Sequence, residues 1–312
     1  MWEPVILTVT LNTALDITHT VPALTPHASH RVTDVAERPG GKGLNVARVL
    51  AALGHETVVT GFAGGPTGEV LRSLLAPLPV RDALVPTTGT TRRTLAVVDT
   101  ATGDTTQFNE PGPVVTPTEW AALLTTYQEL LAGARAVALC GSLPPGIHVG
   151  AYADLVRRAR AAGVPVLLDT SGEPLRRGIA ARPDVVKPNA DELAALTGSR
   201  EPLRATRDAR RRGAHAVVAS LGPDGLLAVT PDGSWRAVPP ARVKGNPTGA
   251  GDSAVAGLLS ALVEGAPWPE RLGRAAALAT ATVLAPAAGE FDPERYGELL
   301  ERVTVTEQAA AA

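Results

Sequence analysis

The stretch NPTGAGDSAVAG, Asn246–Gly257, places a chain-stopping, helix-capping sequence directly before two glycines and an amphipathic run. This order predicts a helix whose first turn contains Gly249–Asp252. Backbone N–H groups in a first turn have no partners within their own helix, and the helix dipole makes that end positive, so the turn can bind an anion at close range. Asp252 could accept a proton from an attacking hydroxyl there, or it could serve only as a capping residue.

On either side of this turn, short apolar runs alternate with stretches of helical length. Strands are predicted at Val5–Leu11, Thr57–Phe62, Ala136–Leu139, Pro165–Leu168, Val185–Val186 and Ala216–Ser220. Helices are predicted at Leu44–Leu53, Glu69–Leu75, Pro117–Leu131, Gly150–Ala161, Ala190–Leu196 and Pro202–Arg212. Near-continuous apolar strands separated by helices indicate an α/β fold with a mostly parallel sheet covered on both faces. Ligands bind beyond the carboxyl ends of the strands in such sheets.

Two segments, Ile17–Ala36 and Thr94–Phe108, alternate apolar with polar residues and interrupt this pattern. They predict antiparallel strands standing off the main sheet as a lid, or else ordinary edge hairpins. We expect a single domain over residues 1–312, with lid segments at about 12–38 and 92–110 inserted in it. The tail Glu307–Ala312 is expected to be frayed.

The composition excludes several classes of protein. The 29 Lys and Arg nearly balance the 31 Asp and Glu, so no broad field attracts nucleic acid or an anionic membrane. Cys140 is the only cysteine, which excludes an intrachain disulfide and a thiolate metal cluster. The amino terminus lacks the basic region of a secretory signal, and the apolar stretch Ala275–Gly289 is too short to span a bilayer. A cytoplasmic location is therefore expected.

Two further glycine-rich turns, Gly40–Gly43 and Gly64–Gly68, resemble nucleotide loops only superficially. Lys42 is followed by glycine rather than Ser or Thr, so the first of them is not a Walker A loop. The turn at Gly249–Gly251 lacks the glycine that a dinucleotide fingerprint would need at Ala254. An oxidoreductase that depends on this fingerprint is therefore excluded.

Taken together, the loops form a set of motifs that covers nearly the whole chain. In order they are TLNTALD (Thr10–Asp16), GGKGLNVARVL (Gly40–Leu50), TTRRT (Thr90–Thr94), FNEPGP (Phe108–Pro113), GSLPPG (Gly141–Gly146), LDTSGEPL (Leu168–Leu175), KPNADEL (Lys187–Leu193), SLGPDG (Ser220–Gly225) and NPTGAGDSAVAG. The chain resembles the ribokinase-like sugar kinases of the PfkB family, in particular their branch of 1-phosphofructokinases and tagatose-6-phosphate kinases. This resemblance implies a three-layer α/β/α sandwich with a small β-sheet lid.

The same resemblance implies an ATP- and Mg²⁺-dependent kinase. Its acceptor would be a ketohexose phosphate, either tagatose 6-phosphate or fructose 1-phosphate, and its product the 1,6-bisphosphate. Asp252 would be the general base, and Gly249, Ala250 and Gly251 the anion hole for the transferring phosphate. The residues that match the family's ATP site are Lys187, Asn189, Glu192, Ser220, Gly222 and Gly225. Asn189 and Glu192 would hold magnesium through water, although both residue types also suit a plain helix start.

On the acceptor side, the resemblance implies that Asp16, in a loop after the first strand, accepts sugar hydroxyls. Gly41, Lys42, Asn45 and Ser142 would line the same pocket. Lys42, Arg31 and Arg92 would bind the acceptor's phosphate, with Arg93 as an alternative to Arg92 one register step away. Each arginine could instead be an ordinary surface residue.

Some residues depart from the family pattern, and other functions remain open. Thr13 and Thr94 stand where the branch usually has proline and asparagine, and Asn246-Pro247-Thr248 is closer to the tagatose-6-phosphate kinases. The alternatives are a kinase of fructose 6-phosphate or of a free sugar, or a non-catalytic sugar-phosphate sensor, which would be expected to lose Asp252 or Glu192. The family also implies a homodimer formed through the lid.

Overall fold

The computed structural model describes residues 4–285 and 289–308. Its strands are β1 (Val5–Thr10), β2 (Ala14–Val21), β3 (Asp34–Gly40), β4 (Thr57–Ala63), β5 (Arg81–Asp82), β6 (Val85–Pro86), β7 (Arg92–Asp99), β8 (Thr105–Asn109), β9 (Ala134–Cys140), β10 (Val166–Asp169), β11 (Val185–Val186), β12 (Ala216–Ser220), β13 (Leu226–Val229), β14 (Ser234–Val238) and β15 (Thr304–Glu307). Its helices are α1 (Lys42–Ala52), α2 (Gly65–Leu75), α3 (Pro117–Leu131), α4 (Ala151–Ala161), α5 (Gly172–Ala180), α6 (Ala190–Thr197), α7 (Pro202–Arg211), α8 (Ala250–Val263), α9 (Trp268–Val283) and α10 (Pro293–Arg302).

The main sheet runs in the order β15-β14-β13-β12-β11-β10-β9-β1-β4-β5, and β6 also pairs with β4. Its strands are parallel from β12 through β5, while β13, β14 and β15 pair antiparallel. The chain continues from β1 to its neighbour β4 on one side and from β9 to its neighbour β10 on the other, so the crossovers that leave β1 and β9 run in opposite directions across the sheet. That arrangement opens a crevice at the carboxyl ends of β1 and β9, which is where ligands bind in such sheets.

Helices cover both faces of this sheet, as predicted. The apolar faces of α1, α8 and α9 pack on one side, with α2 against α1 and β4, and α3 through α7 pack on the other. All six predicted strands and all six predicted helices are present. The largest boundary difference is at α2, which begins at Gly65 rather than Glu69, because Pro66 fits the first turn of a helix.

A separate four-stranded sheet, called the small sheet below, has the order β3-β2-β7-β8. The strands predicted off the main sheet therefore exist, but the purely antiparallel arrangement was wrong. The pairs β2–β3 and β7–β8 are antiparallel, whereas β2 and β7 are parallel. The β2–β3 hairpin and the β7–β8 hairpin both leave the main sheet at its carboxyl edge, so β2 and β7 run in the same direction.

The register of the small sheet gives it two distinct faces. Asp16 lies opposite Arg38 on one side and Thr94 on the other, so these three side chains share one face, the inner face. Ile17 and Leu95 belong to the opposite, outer face, because successive residues of a strand point to opposite sides.

Two details of the carboxyl-terminal part differ from expectation. Glu307 is the last residue of β15 and pairs with Trp235, since the edge of β14 offers free backbone groups; residues 309–312 of the predicted frayed tail lie outside the described part. No helix within the described residues is long and apolar enough to cross a membrane.

Candidate active site

Asp252 is held in the first turn of α8, as the sequence predicted. Gly249 precedes the helix with a φ of 83°, in the left-handed region that favours glycine. The Asp252 side chain is buried, and its Oδ2 accepts a hydrogen bond from Asn45 Nδ2 at 2.9 Å. Burial raises the pKa of Asp252 to about 6, although the nearby charge of Lys42 opposes that rise. The carboxylate is therefore bound across the site to α1, and no side-chain hydrogen bond caps the start of α8.

Beside Asp252 lies a charge cluster centred on the buried Asp169, the last residue of β10. The Asp169 carboxylate is 1% exposed and lies 3.4 Å from Lys42 Nζ and 3.6 Å from Lys187 Nζ. Its negative charge raises the pKa of Lys42 further above the usual lysine value. Two ammonium groups and two carboxylates thus meet at the carboxyl edge of the sheet, and charges of this kind are stable only when paired.

Asp16 lies within β2 of the small sheet, so its predicted position in a loop after the first strand was wrong. A Cβ added at Gly40 would lie 2.1 Å from Asp16 Cγ, so only glycine leaves room for this carboxylate. Burial raises the pKa of Asp16. The charge of Arg92, a hydrogen bond from Thr94 and one from the backbone N–H of Gly41 act in the opposite direction and lower this pKa. The carboxylate is therefore surrounded by donors on the inner face.

Of the two candidate arginines, Arg92 is the one on the inner face. Arg92 lies opposite Ala14, two residues before Asp16, whereas Arg93 lies opposite Leu15. Arg92 Nε donates to the carbonyl oxygen of Asn12 at 3.2 Å. Arg93 forms an ion pair with Glu110, with 2.9 Å between Arg93 Nη2 and Glu110 Oε1, on the outer face.

The remaining residues predicted on the acceptor side divide into two groups. Ser142 Oγ accepts a hydrogen bond from Asn12 Nδ2 at 3.2 Å, which connects it to the backbone that Arg92 contacts. Asn12 Oδ1 is a buried acceptor without a partner among the described residues. Gly41 and Lys42 begin α1 beside this group. Arg31, by contrast, is exposed on the loop between β2 and β3, outside the paired strands of the small sheet.

On the other side of Gly249–Asp252 lies a cavity of about 600 Å³. Among its lining residues are Asn189, Ser220, Gly222, Gly225, Ala250 and Gly251, all six of them predicted. Lys187 is buried next to Gly251, with its ammonium 3.5 Å from the position of a Cβ on Gly251. No sequence motif indicated the wall formed by residues 239–245 and by α9, which consists largely of small apolar side chains.

Asn189 and Glu192 form a capping box at the start of α6. Asn189 Oδ1 accepts from the Glu192 N–H at 2.8 Å, and Glu192 Oε2 accepts from the Asn189 N–H at 2.8 Å. Each side chain keeps unused oxygen lone pairs, and amide and carboxylate oxygens are the donors that Mg²⁺ prefers. The donor set therefore fits a magnesium ion bound through water, in addition to its role in starting the helix.

Asp169 is a further candidate site residue, which the sequence motifs did not single out. Its motif, LDTSGEPL, was recognised, but no role was given to the carboxylate. The signal was present, because an acidic residue ends a buried apolar strand at the edge where ligands bind.

Comparison with known proteins identifies the family of this chain. The family model for pfkB family carbohydrate kinases matches residues 9–295. The chain belongs to this family. A 1-phosphofructokinase of Rhodobacter capsulatus is 42% identical over 311 residues, covering 96% of this chain and 97% of the relative.

Two solved structures extend the comparison. Phosphofructokinase-2 from Escherichia coli, in complex with fructose 6-phosphate, has a TM-score of 0.88 at 33% identity, covering 96% of this chain and 99% of that one. Arabidopsis thaliana ribokinase, complexed with ribose and ATP, has a TM-score of 0.72 at 22% identity, covering 96% and 99% of the two chains. The predicted ribokinase-like α/β fold of a pfkB family kinase is thus confirmed, and ATP is the phosphoryl donor expected of the family.

Proposed function

We propose that the chain phosphorylates a ketohexose phosphate with ATP, and that fructose 1-phosphate is its leading acceptor. The observation that carries the proposal is the position of Asp252, buried and hydrogen-bonded to Asn45, between the 600 Å³ cavity and the residues around Asp16. The curated relative named as a 1-phosphofructokinase, 42% identical, favours fructose 1-phosphate over tagatose 6-phosphate.

The proposed step is a direct phosphoryl transfer. Asp252 removes the proton from the acceptor hydroxyl as its oxygen forms a bond to the γ-phosphorus of ATP, and the bond from that phosphorus to the bridging oxygen of ADP breaks. The N–H groups at Gly249–Gly251 stabilise the charge on the transferring group. Lys42 and Lys187 add positive charge beside it, balanced in the resting protein by Asp169.

Asn189 and Glu192 would hold a magnesium ion through water. Bound there with the nucleotide, it would neutralise charge on the ATP phosphates. On the acceptor side, Asp16 accepts sugar hydroxyls, and Arg92 and Lys42 bind the phosphate. Arg31 is a weaker candidate for this role, because it is exposed on a loop outside the inner face.

Initial rates with ATP test this proposal on fructose 1-phosphate, tagatose 6-phosphate, fructose 6-phosphate and the free sugars. We expect fructose 1-phosphate to give the highest kcat/KM. A preference for fructose 6-phosphate, the ligand in the Escherichia coli complex, would instead make the chain a 6-phosphate kinase. A preference for free sugars would show that the acceptor is not held by a phosphate. Binding of a sugar phosphate without turnover would indicate a non-catalytic sensor.

We further propose that the small sheet is a lid and that its outer face pairs with a second copy of this chain. Val35 and Phe108 lie on that face and are 56% and 57% exposed, in a sheet whose inner face carries Asp16. An exposed apolar sheet face of this kind is typical of an interface. Light scattering should report a dimer for the parent and a monomer for Phe108→Asp. A monomeric parent would contradict the proposal.

A further inference from the structure

Glu290, just before α10, binds two arginines from distant parts of the chain. Its Oε1 accepts a hydrogen bond from Arg48 Nη2 of α1 at 3.2 Å and lies 3.3 Å from Arg38 Nη2 of β3. The Arg48 side chain is only 12% exposed, whereas that of Glu290 is 37% exposed. One carboxylate thus connects the small sheet, α1 and the segment between α9 and α10.

This cluster lies beside Asp16. Arg38 is opposite Asp16 in the register of β2 and β3, and Arg48 lines the same cavity as both. The charge of Arg48 lowers the pKa of Asp16, in opposition to burial. Even so, among the described residues the ion pairs of Arg38 and Arg48 are with Glu290 and not with Asp16.

The carboxylate with which Arg38 and Arg48 pair matters, because Asp16 needs free lone pairs to accept sugar hydroxyls. In a buried setting, a guanidinium without its own carboxylate pairs directly with the nearest one, often through two hydrogen bonds. If Glu290 lost its charge, Arg48 and Arg38 would move onto Asp16 and occupy the oxygens that a sugar requires.

The adjacent residue supports the same face of α1. Gly289 has a φ of 70°, and a Cβ there would lie 3.2 Å from Asn45 Cα. Asn45 is one helical turn before Arg48 and holds Asp252. The consecutive residues Gly289 and Glu290 therefore contact two positions of α1, Asn45 and Arg48. Asn45 faces Asp252, and Arg48 faces Asp16.

We propose that Glu290 is a positioning residue for acceptor binding, which holds Arg48 and Arg38 beside Asp16 while keeping them from pairing with it. This inference rests on the proposed function, in which Asp16 binds the sugar hydroxyls. It assigns to Glu290 an effect on the acceptor alone, because Asp252 and the nucleotide cavity have other partners.

The test is Glu290→Gln, compared with Glu298→Gln, an exposed acidic position on α10. Glu290→Gln should raise the KM for the sugar phosphate about ten-fold, the scale of one charge-assisted contact, while kcat and the KM for ATP stay within about two-fold. Glu298→Gln should match the parent in all three. Glu290→Asp keeps the charge and should recover part of the acceptor KM. An unchanged acceptor KM in Glu290→Gln would overturn the proposal.

A double-mutant cycle shows whether Glu290 acts through the arginines. In a background carrying both Arg38→Gln and Arg48→Gln, Glu290→Gln should change the acceptor KM by less than about two-fold. If the effects multiply instead, Glu290 acts by another route and the proposal fails. Failure of the proposed function is separate, because it would appear in the parent as a lack of turnover with every sugar phosphate.

Discussion

The side chain of Asn45 donates a hydrogen bond to the carboxylate of Asp252 across the gap between α1 and α8, at 2.9 Å. An amide N–H can donate but cannot take up a proton, so this contact orients the carboxylate without competing for the proton that it is proposed to remove. The bond also favours the ionised form of Asp252 against the effect of its burial. The first three of the five predictions below concern this carboxylate.

Removing the Asn45 donor should shift the pH dependence of the reaction. In Asn45→Ala the pKa of Asp252 should rise above its value of about 6, because the ionised form loses a hydrogen bond. The acidic limb of the kcat/KM profile should therefore move upward by roughly 0.5–1 pH unit. Asn45→Asp should move it further, since like charges repel. Identical acidic limbs in parent and variants would contradict this role of Asn45.

Asp252→Asn should fold and bind ATP with an affinity within a few-fold of the parent, but lose most of its turnover. Loss of a general base costs about 10²–10⁴ in rate. In the parent, kcat/KM should fall as the pH drops below about 6, because the protonated carboxyl cannot accept the hydroxyl proton. Near-parental turnover in a clean preparation of the variant would remove Asp252 from the role of base.

The same substitution should make the protein more stable at alkaline pH. The folded-state pKa of Asp252 is about 6, above the ordinary 3.8, so the folded state binds more protons than the unfolded state between these values. This group's contribution to stability therefore decreases as the pH rises through that window. Asp252→Asn should gain about 1–3 kcal/mol over the parent at pH 8 and almost nothing at pH 4. Urea unfolding at both pH values measures the difference, and equal gains at pH 4 and pH 8 would contradict it.

Arg92 and Arg93 provide a matched pair on one strand. Arg92→Ala should lower kcat/KM for the sugar phosphate by about ten- to a hundred-fold, because an arginine–phosphate contact is charge-assisted. Arg93→Ala should have little effect on this ratio, since Arg93 pairs with Glu110 on the outer face. Neither change should alter the KM for ATP. The assignment fails if the two variants are equally impaired, or if Arg92→Ala keeps the preference for phosphorylated over free sugar.

Glu192→Gln isolates the charge at the start of α6, because glutamine can also complete a capping box. The helix should persist, while the magnesium concentration for half-maximal activity should rise more than the KM for the sugar does. Glu201→Gln is the control, since the Glu201 carboxylate also accepts backbone N–H groups at a helix start, as the N-cap of α7. Superimposable magnesium titrations of Glu192→Gln and the parent would show that Glu192 does not act through the metal.

Local sequence was sufficient for those parts of the fold that depend on local physics. Continuous apolar runs gave β11 and β12 with their observed ends, and the glycines before Asp252 gave the start of α8. Pairing between distant segments could not be predicted in the same way. The parallel pairing of β2 with β7 joins hairpins that are far apart in the chain, and neither strand carries a signal of its neighbour's direction.

The site followed the same rule. Most of the candidate residues that lie within recognisable motifs are placed at the carboxyl edge of the sheet. Glu290, by contrast, lies 242 positions from Arg48 and in no motif, so only the folded chain brings them together. The prediction for Asp16 was wrong because it required the end of β1 and the start of β2, and apolar periodicity does not define this boundary.

The alternation of side chains along β7 also restricts how the length of this protein could change. Arg92 and Arg93 belong to opposite faces because a strand has a repeat of two residues. Inserting one residue just before Arg92 would therefore move every side chain of β7 to the opposite face of the sheet. Two inserted residues would keep each side chain on its own face and only displace it along the strand. The loop from residue 22 to residue 33, by contrast, lies outside the paired register. Natural variation in length should therefore accumulate in that loop and come in even steps within the small sheet.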